Sequence, residues 1–462
     1  MRRTAAIAAL TLLAGCTSGT DYRRPEPEMP AAWTQANALP RPAASGWWTA
    51  YGDPVLTRLV EAALAGNPDI DQALARVEQA EAAAGLARAA LLPTAELEGV
   101  LARVRQSTTE GLGQLTRYVP DLPRVQDRGR LAAGASWDLD FAGGLRRGRE
   151  AARADLAAAA AGADAARLIV AAELTDAYLG YRGSQEQLAL LERRRAILAD
   201  RRGIMAARVR VGEAASQALD GLDAGLAAID AVLPLQRAAL TIARLRITVL
   251  TGRPAGTPLP ELDAAAPVPL AGDPAAGLPA DMLRRRPDLL AAEAQLHAAH
   301  ARIGTALAEY WPKVSLSGLL GFDSNALGRF GSDASSVVQG AAGLRWRLFD
   351  FGRIDAEVAA ARGGEKEMLA AYRGAVLRAG EQVESGFTDL AGARAGLDRR
   401  QAQRDALAQA YGRARASFRS GEISRDTLRG AELAMLDGED ALAAARVALA
   451  RALLACHRAL GG

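Results

Sequence analysis

The chain has 462 residues, 50% of them hydrophobic and 24% charged, with a formal net charge of only +3. That small surplus, with no basic patch interleaved with aromatics, argues against nucleic acid as the partner. The cysteines are Cys16 and Cys456, and lysine occurs only at Lys313 and Lys366, so arginine carries nearly all the positive charge.

The N-terminus reads as an export signal over residues 1–15: Arg2 and Arg3 form the positive start, Ala5 to Leu13 the short apolar core, and Leu-Ala-Gly-Cys the small-residue end. A cysteine directly after Leu-Ala-Gly resembles the bacterial lipobox. That resemblance implies that Cys16 is lipidated and becomes the first mature residue, the covalent lipid being the only non-protein group expected. Thr17 stands where an Asp would imply inner-membrane retention, which implies the outer membrane. With Cys16 acylated, Cys456 has no partner for an internal disulfide. Residues 16–50 then form an extended, lipid-anchored segment that includes the Pro-rich run Asp21 to Trp33.

From here the chain repeats itself. Pro68, Gly85 and Pro93 recur at the same spacing as Pro287, Gly304 and Pro312, and the Arg-Val-Gly ending at Gly212 meets the Arg-Ser-Gly ending at Gly421. One unit of roughly two hundred residues is duplicated, too long a period for a solenoid. The repeats occupy 51–252 and 280–462, with an irregular Pro-rich connection at 253–279.

Each repeat predicts a helix, a strand hairpin, then two long helical stretches joined at a glycine turn. In the first, strands are expected at about 93–105 and 129–141. Ala95, Leu97, Gly99 and Leu101 alternate with Thr94, Glu96, Glu98 and Val100. Leu131, Ala133, Ala135, Trp137, Leu139 and Phe141 alternate with Arg130, Ser136, Asp138 and Asp140. In the second, strands are expected at about 312–324 and 336–349. Val314, Leu316, Leu320 and Phe322 oppose Lys313, Ser315, Ser317 and Asp323; Val338, Ala342, Leu344, Trp346 and Leu348 oppose Arg345 and Arg347.

Segments of about 10 to 14 residues with an apolar-out, polar-in dyad are the signature of a water-filled transmembrane barrel. The charged positions Glu96, Glu98, Asp138, Asp140, Lys313, Arg345 and Arg347 then line the lumen, and Trp137 and Trp346 are candidate interface anchors. After the signal no uninterrupted apolar stretch reaches the roughly 20 residues of a spanning helix, so strands must do the crossing. Four strands cannot close, because lipid-facing edges would leave backbone groups unpaired. Two or more copies must therefore share one barrel, and sequence alone leaves the number open.

Long helices are expected over about 145–250 and 353–460. About 65 residues before each glycine turn would extend on the order of 100 Å. Leu174, Ala177, Tyr178, Tyr181, Leu188 and Leu191 recur at steps of three and four, as in packed long helices. Gly212 and Gly421 sit at the hairpin tips, where glycine takes the left-handed conformation cheaply, and Pro234 should bend only the first returning helix. The fold class is an α/β membrane protein with internal duplication.

Catalytic signals are absent from the sequence, so an enzyme is not expected. His297 and His300 lie three apart on a helix, but no third His or nearby thiol completes a metal site. No phosphate-cradling glycine loop with its lysine occurs.

Several stretches carry a resemblance: the lipobox followed by Tyr22 to Trp33, Trp47 to Ile70, Leu278 to Gly318, and Arg347 to Ala361. In this order and with the duplication, the chain resembles the TolC-like outer-membrane factor family, in particular its NodT-like lipoprotein branch of drug-efflux systems. The resemblance implies a homotrimer whose twelve strands form one outer-membrane β-barrel, continued by an α-helical barrel across the periplasm. It also implies docking onto a periplasmic adaptor (membrane fusion) protein and an inner-membrane pump of the resistance-nodulation-division (RND) type. The helix tips Arg210, Val211, Gly212, Glu213, Arg419, Ser420, Gly421 and Glu422 would meet the adaptor. Asp220, Asp223, Arg425 and Asp426 are the candidates for a periplasmic gate, although Ser424 and Arg425 stand where an Asp-Tyr pair is frequent in the family. The function implied is a passive outer-membrane exit duct for small molecules such as drugs. Two other readings keep part of the fold: the same duct serving type I protein secretion or metal-ion export, and a non-conducting periplasmic coiled coil. The coiled coil gives no reason for four alternating strands.

Overall fold

A computed structural model describes residues 17–34, 46–109, 114, 118–119, 123–274 and 277–462. Cys16 lies outside the described residues. Two compact units emerge: one contains 78–158 and 292–371 with the N-terminal residues, the other 26–77, 159–291 and 372–462.

The second unit shows why the short helices form where they do. Helix α1 (Pro54–Gly66) starts at Asp53, whose carboxylate accepts from the N–H groups of Val55 (2.8 Å) and Leu56 (3.1 Å), with Pro54 supplying the preset first turn. Its buried stripe, Leu56, Leu59, Val60 and Ala63, has helical spacing. Asn67 follows, and α2 spans Pro68–Ala89. In the second repeat α5 spans Pro279–Arg285, Arg286 follows, and α6 spans Pro287–Leu307.

Each repeat's short helices and strands are followed by two long helices: α3 (Gly144–Arg210) and α4 (Gln217–Leu250), then α7 (Arg353–Arg419) and α8 (Arg425–Ala459). The duplication survives as a matched lock on the returning helices. Asn67 Nδ2 donates to the Leu250 carbonyl at the end of α4 (2.9 Å), and Arg286 Nη1 donates to the Ala459 carbonyl at the end of α8 (3.0 Å). Both groups are buried, and each satisfies a helix C-terminal carbonyl that would otherwise be orphaned. A buried arginine needs charge compensation, and Asp288 supplies it at 2.8 Å.

Among the described residues, α4 alone is long and apolar enough to cross a membrane by length and composition. It holds no uninterrupted apolar stretch of that length, for Asp220, Asp223, Asp230, Pro234 and Arg237 punctuate an otherwise apolar helix. Most of its apolar side chains are exposed, and the helix runs through Pro234 unbroken.

The first unit holds one antiparallel sheet of four strands in the order β1-β2-β3-β4: β1 Thr94–Arg105, β2 Val125–Leu139, β3 Lys313–Ser324 and β4 Ser336–Arg345. Thr94 pairs with Ser136, Ser136 with Ser317, and Ser317 with Ala341. The two hairpins of the duplication are thus joined through β2 and β3. Strands β1 and β4 remain as edges.

Candidate functional site: the ribbon and the helix tips

Antiparallel pairs share a face, so the register sorts every strand residue. Leu97, Ala133, Leu320 and Val338 lie across from one another in sequence, as do Ala95, Ala135, Gly318 and Gly340. Leu97, Leu101, Leu320, Val338 and Leu344 are all exposed, giving the sheet a bare apolar face. The opposite face carries Glu96, Glu98, Arg130, Asp138, Lys313 and Arg345. Across it Arg128 donates to Asp323 at 2.9 Å, and Arg130 stands 3.8 Å from Glu98.

Two residues expected in the lumen lie off the strands. β2 ends at Leu139, and Asp140 instead accepts from the N–H groups of Leu145 (3.0 Å) and Arg146 (2.9 Å), satisfying the start of α3. β4 ends at Arg345, and Arg347 is bound by Glu309 and Glu357. In both cases the alternation in sequence outlasts the hydrogen-bond ladder. Conversely β2 begins at Val125, before the expected boundary, which is why Arg128 was missed. The tryptophans behave as a duplicated pair: Trp137 Nε1 donates to the Leu91 carbonyl and Trp346 Nε1 to the Tyr310 carbonyl, each at 3.0 Å.

The tips are two copies of one motif. Gly212 (φ 78°) donates to the Val209 carbonyl at 3.1 Å and Glu213 to that of Arg208 at 2.9 Å. Gly421 (φ 81°) donates to Phe418 at 3.1 Å and Glu422 to Ser417 at 2.9 Å. This paired closure with a left-handed glycine is the Schellman arrangement. It leaves Arg210, Val211, Arg419 and Ser420 exposed at the turns, Val211 being the large apolar side chain among them.

Behind the tips the candidate gate residues are tied to α3. Asp223 of α4 is bound by Arg202, Asp426 of α8 by Arg201 at 2.8 Å, and Arg425 by Asp200 at 2.8 Å. Asp200 also accepts from Arg429 at 2.6 Å. Asp220 lies in the first turn of α4, where the helix dipole favours a negative charge. Burial raises the Asp200 carboxyl, but Arg429 and Arg425 outweigh it and hold the group below its ordinary range; hydrogen bonding from Arg202 does the same for Asp223. Asp200, Arg201, Arg202 and Arg429 were not singled out from sequence. Their only signal is a charge run near the end of α3 facing opposite charges just past each tip.

His297 and His300 contact two glutamates and the N-terminal segment. The His297 ring stacks on Tyr22 with centroids 4.3 Å apart and its Nε2 meets Glu150 at 2.9 Å; His300 Nδ1 meets Glu365 at 2.7 Å and Nε2 the Thr20 carbonyl at 3.0 Å. With Arg147, which binds Asp21 at 3.0 Å and donates to the Ser18 carbonyl at 3.1 Å, they seat the segment that follows Cys16.

A ribbon with one bare apolar face and a charged reverse, in a chain whose helices run to 67 residues, defines an outer-membrane channel subunit that reaches into the periplasm. The model of the family described as outer membrane efflux protein matches residues 59–253 and again 278–462, one match on each repeat, and the chain belongs to that family.

Nodulation protein T of Rhizobium leguminosarum bv. trifolii is 29% identical over 440 residues, covering 93% of this chain and 87% of that protein. The pyoverdine export outer membrane protein OpmQ of Pseudomonas putida is 30% identical over 450 residues, covering 94% and 92%. Among solved structures, the outer-membrane channel OprN superposes with a TM-score of 0.83 at 31% identity over 97% of this chain and 99% of that one. The open state of the Neisseria gonorrhoeae MtrE outer membrane channel gives 0.82 at 25% identity over 97% and 98%. The protein is an outer-membrane efflux channel component.

Proposed function

We propose that three copies of this chain close a twelve-stranded barrel in the outer membrane and continue it with helices as a passive exit duct for small molecules. The observation that carries this reading is the open ribbon. Its apolar face is bare, and the outer edges of β1 and β4 are unpaired among the described residues. In hydrocarbon each unpaired backbone group costs several kcal/mol, so the edges must pair between copies. β4 runs toward the end of the sheet at which β1 begins, so β4 of one copy and β1 of the next meet antiparallel. The copy number of three rests on the likeness to the efflux channels.

In this assembly Glu96, Glu98, Asp138, Lys313 and Arg345 line the lumen, and lipid on Cys16 adds an anchor in the outer membrane. The tips at Arg210 to Glu213 and Arg419 to Glu422 meet a periplasmic adaptor, which in turn engages an inner-membrane RND pump that supplies the energy. The duct opens when the adaptor binds the open arrangement of the tips more tightly than the closed one, since only differential affinity shifts such an equilibrium. The ion pairs of Arg201 and Asp200 with the start of α8, and of Arg202 with Asp223 in the second turn of α4, are what that affinity must overcome.

Electrophoresis with and without heating, combined with conductance in liposomes, tests the reading. A heat-labile oligomer that conducts ions, with its ion selectivity shifted toward anions by Glu96→Gln, is expected. A monomer without conductance would overturn it.

A further inference from the structure

The duplication provides an internal template for the seam between copies. The matched tryptophans, Trp137 and Trp346, and the left-handed glycines that follow them, Gly143 (φ 78°) and Gly352 (φ 84°), align the two repeats. Arg147 then corresponds to Ala356 and Gly144 to Arg353, while Gly304, Thr305 and Ala308 at the end of α6 correspond to Gly85, Leu86 and Ala89 at the end of α2.

Inside one chain the start of α3 lies against the end of α6. A Cβ on Gly304 would stand 2.7 Å from Arg147 Cγ and 2.7 Å from the Ser18 carbonyl oxygen, and one on Gly144 would stand 2.7 Å from Ala308 Cβ. The seat is full, and glycine is what allows the approach. Its duplicate is empty. Among the described residues nothing lies within 4 Å of a Cβ on Gly85, and Leu86 and Leu92 are 74% and 59% exposed.

The counterpart that should fill this seat is also bare. Just past β4, Phe349 and Phe351 are 91% and 103% exposed. Phe351 is the only non-glycine among the described residues with a positive φ, 56°. That backbone is costly for a bulky residue; the Asp350 carboxylate holds it, accepting from the N–H groups of Gly352 (3.1 Å) and Ile354 (2.8 Å), and the turn leaves the Phe351 ring bare.

We infer that Phe349 and Phe351 of one copy form an aromatic knuckle that seats on the end of α2 of the next, beside Gly85, Leu86 and Leu92. The occupant is a second copy because β4 ends, and β1 begins, at the same end of the sheet. Pairing those edges carries residues 349–356 of one copy to residues 85–92 of its neighbour. The inference rests on the shared-barrel reading and adds what holds that seam.

The chemistry of the two seams differs. Within a chain, Arg147 and the N-terminal segment stitch the seat with charge and hydrogen bonds. Between copies, Ala356 replaces Arg147, and Arg353 replaces Gly144, so the helices stand further apart at that level. The two rings fill the gap, making the intercopy seam apolar and aromatic.

The full-length lipidated chain carrying Gly85→Cys and Ala356→Cys, treated in native membranes with a short bis-maleimide, tests this pairing. Cys456 is buried and does not compete. Denatured samples should contain covalently linked species of two and three chains, and neither single variant should give them. A second arm uses Phe351→Gly, which relaxes the backbone while deleting the ring. The unheated oligomer should then dissociate at a lower temperature than wild type, whereas purely local strain would leave it equal or raise it. A wild-type trimer that yields no linked species, with Phe351→Gly as heat-resistant as wild type, overturns the knuckle and leaves the shared barrel intact. A monomeric wild type overturns both.

Discussion

The returning helices α4 and α8 occupy equivalent places in the two repeats and have 34 and 35 residues, yet they end in opposite environments. α8 buries apolar side chains along its length from Leu428 to Ala459. It lies between two helices: Val447 approaches Gly183 of α3, and Cys456 approaches Gly386 of α7. Burial there pushes the Cys456 thiol up to about 11, so it behaves as a small apolar side chain.

α4 buries only Ile229, Leu233, Ile247, Thr248 and Leu250, and turns Val232, Leu235, Ile242 and Val249 outward. What ties it to α3 is charge, in the pairs Arg195–Asp230, Arg202–Asp223 and Arg237–Glu192. The same ancestral helix has become an interior helix in one repeat and an edge in the other. Pro234 sits on the edge helix, whereas its duplicate position holds the buried Ala443. An apolar stripe left bare on an edge marks a surface for association, as do the two open edges of the ribbon.

The largest effect should come from the interior helix. Leu436 packs in one cluster with Leu190, Ile197 and Ala443, and Leu436→Ala should cost about 2–5 kcal/mol, read as a lowered thermal midpoint in detergent. Leu235→Ala on α4 should leave the unfolding of the separated chain nearly unchanged and instead lower the temperature at which the oligomer dissociates. Equal damage to both quantities by both variants would erase the distinction between interior and edge.

The tips should respond alike, because both close by the same left-handed glycine. Gly212→Ala and Gly421→Ala each force a side chain into φ near 80°, a strain of roughly 1–2 kcal/mol per residue. Faster proteolytic nicking at the altered turn is the expected readout, and a response at only one tip would show that the two turns are not equivalent.

Smaller still is the acid dependence of the ties on α3. Asp200 and Asp223 are held below their unfolded value, so their contribution is fully present above the ordinary carboxylate range, about pH 4. It is lost as the pH falls through their depressed folded values. Tip proteolysis should therefore be flat through neutral pH and rise only in strong acid, with Asp200→Asn blunting that rise. These pairs are mostly surface pairs, and a shift already present near neutrality would assign the tie to other groups.

Much of this was legible in the sequence because it depends on local periods. Leu97, Leu320 and Val338 fall on one face by alternation alone, and the glycines at 212 and 421 mark their own turns. Failures cluster where a local pattern continues past the interaction that gives it meaning. Asp140 keeps the strand period but caps α3, and Arg347 keeps it but answers Glu309 and Glu357. Arg128 escaped for the opposite reason: Gln126 to Arg128 are polar on both faces, so the ladder runs on where the alternation is silent. The ties behind the tips were illegible in principle, since Arg201 and Asp426 lie 225 positions apart and no local period links them.

If the open edges of both the ribbon and the helices pair between copies, the mass of the intact assembly shows it most directly. Native mass spectrometry of the lipidated protein extracted in mild detergent should give a species of three chains, with Leu235→Ala or Phe351→Gly shifting it toward one. A wild-type protein that stays a single chain at every concentration, with its sheet folded, would contradict it.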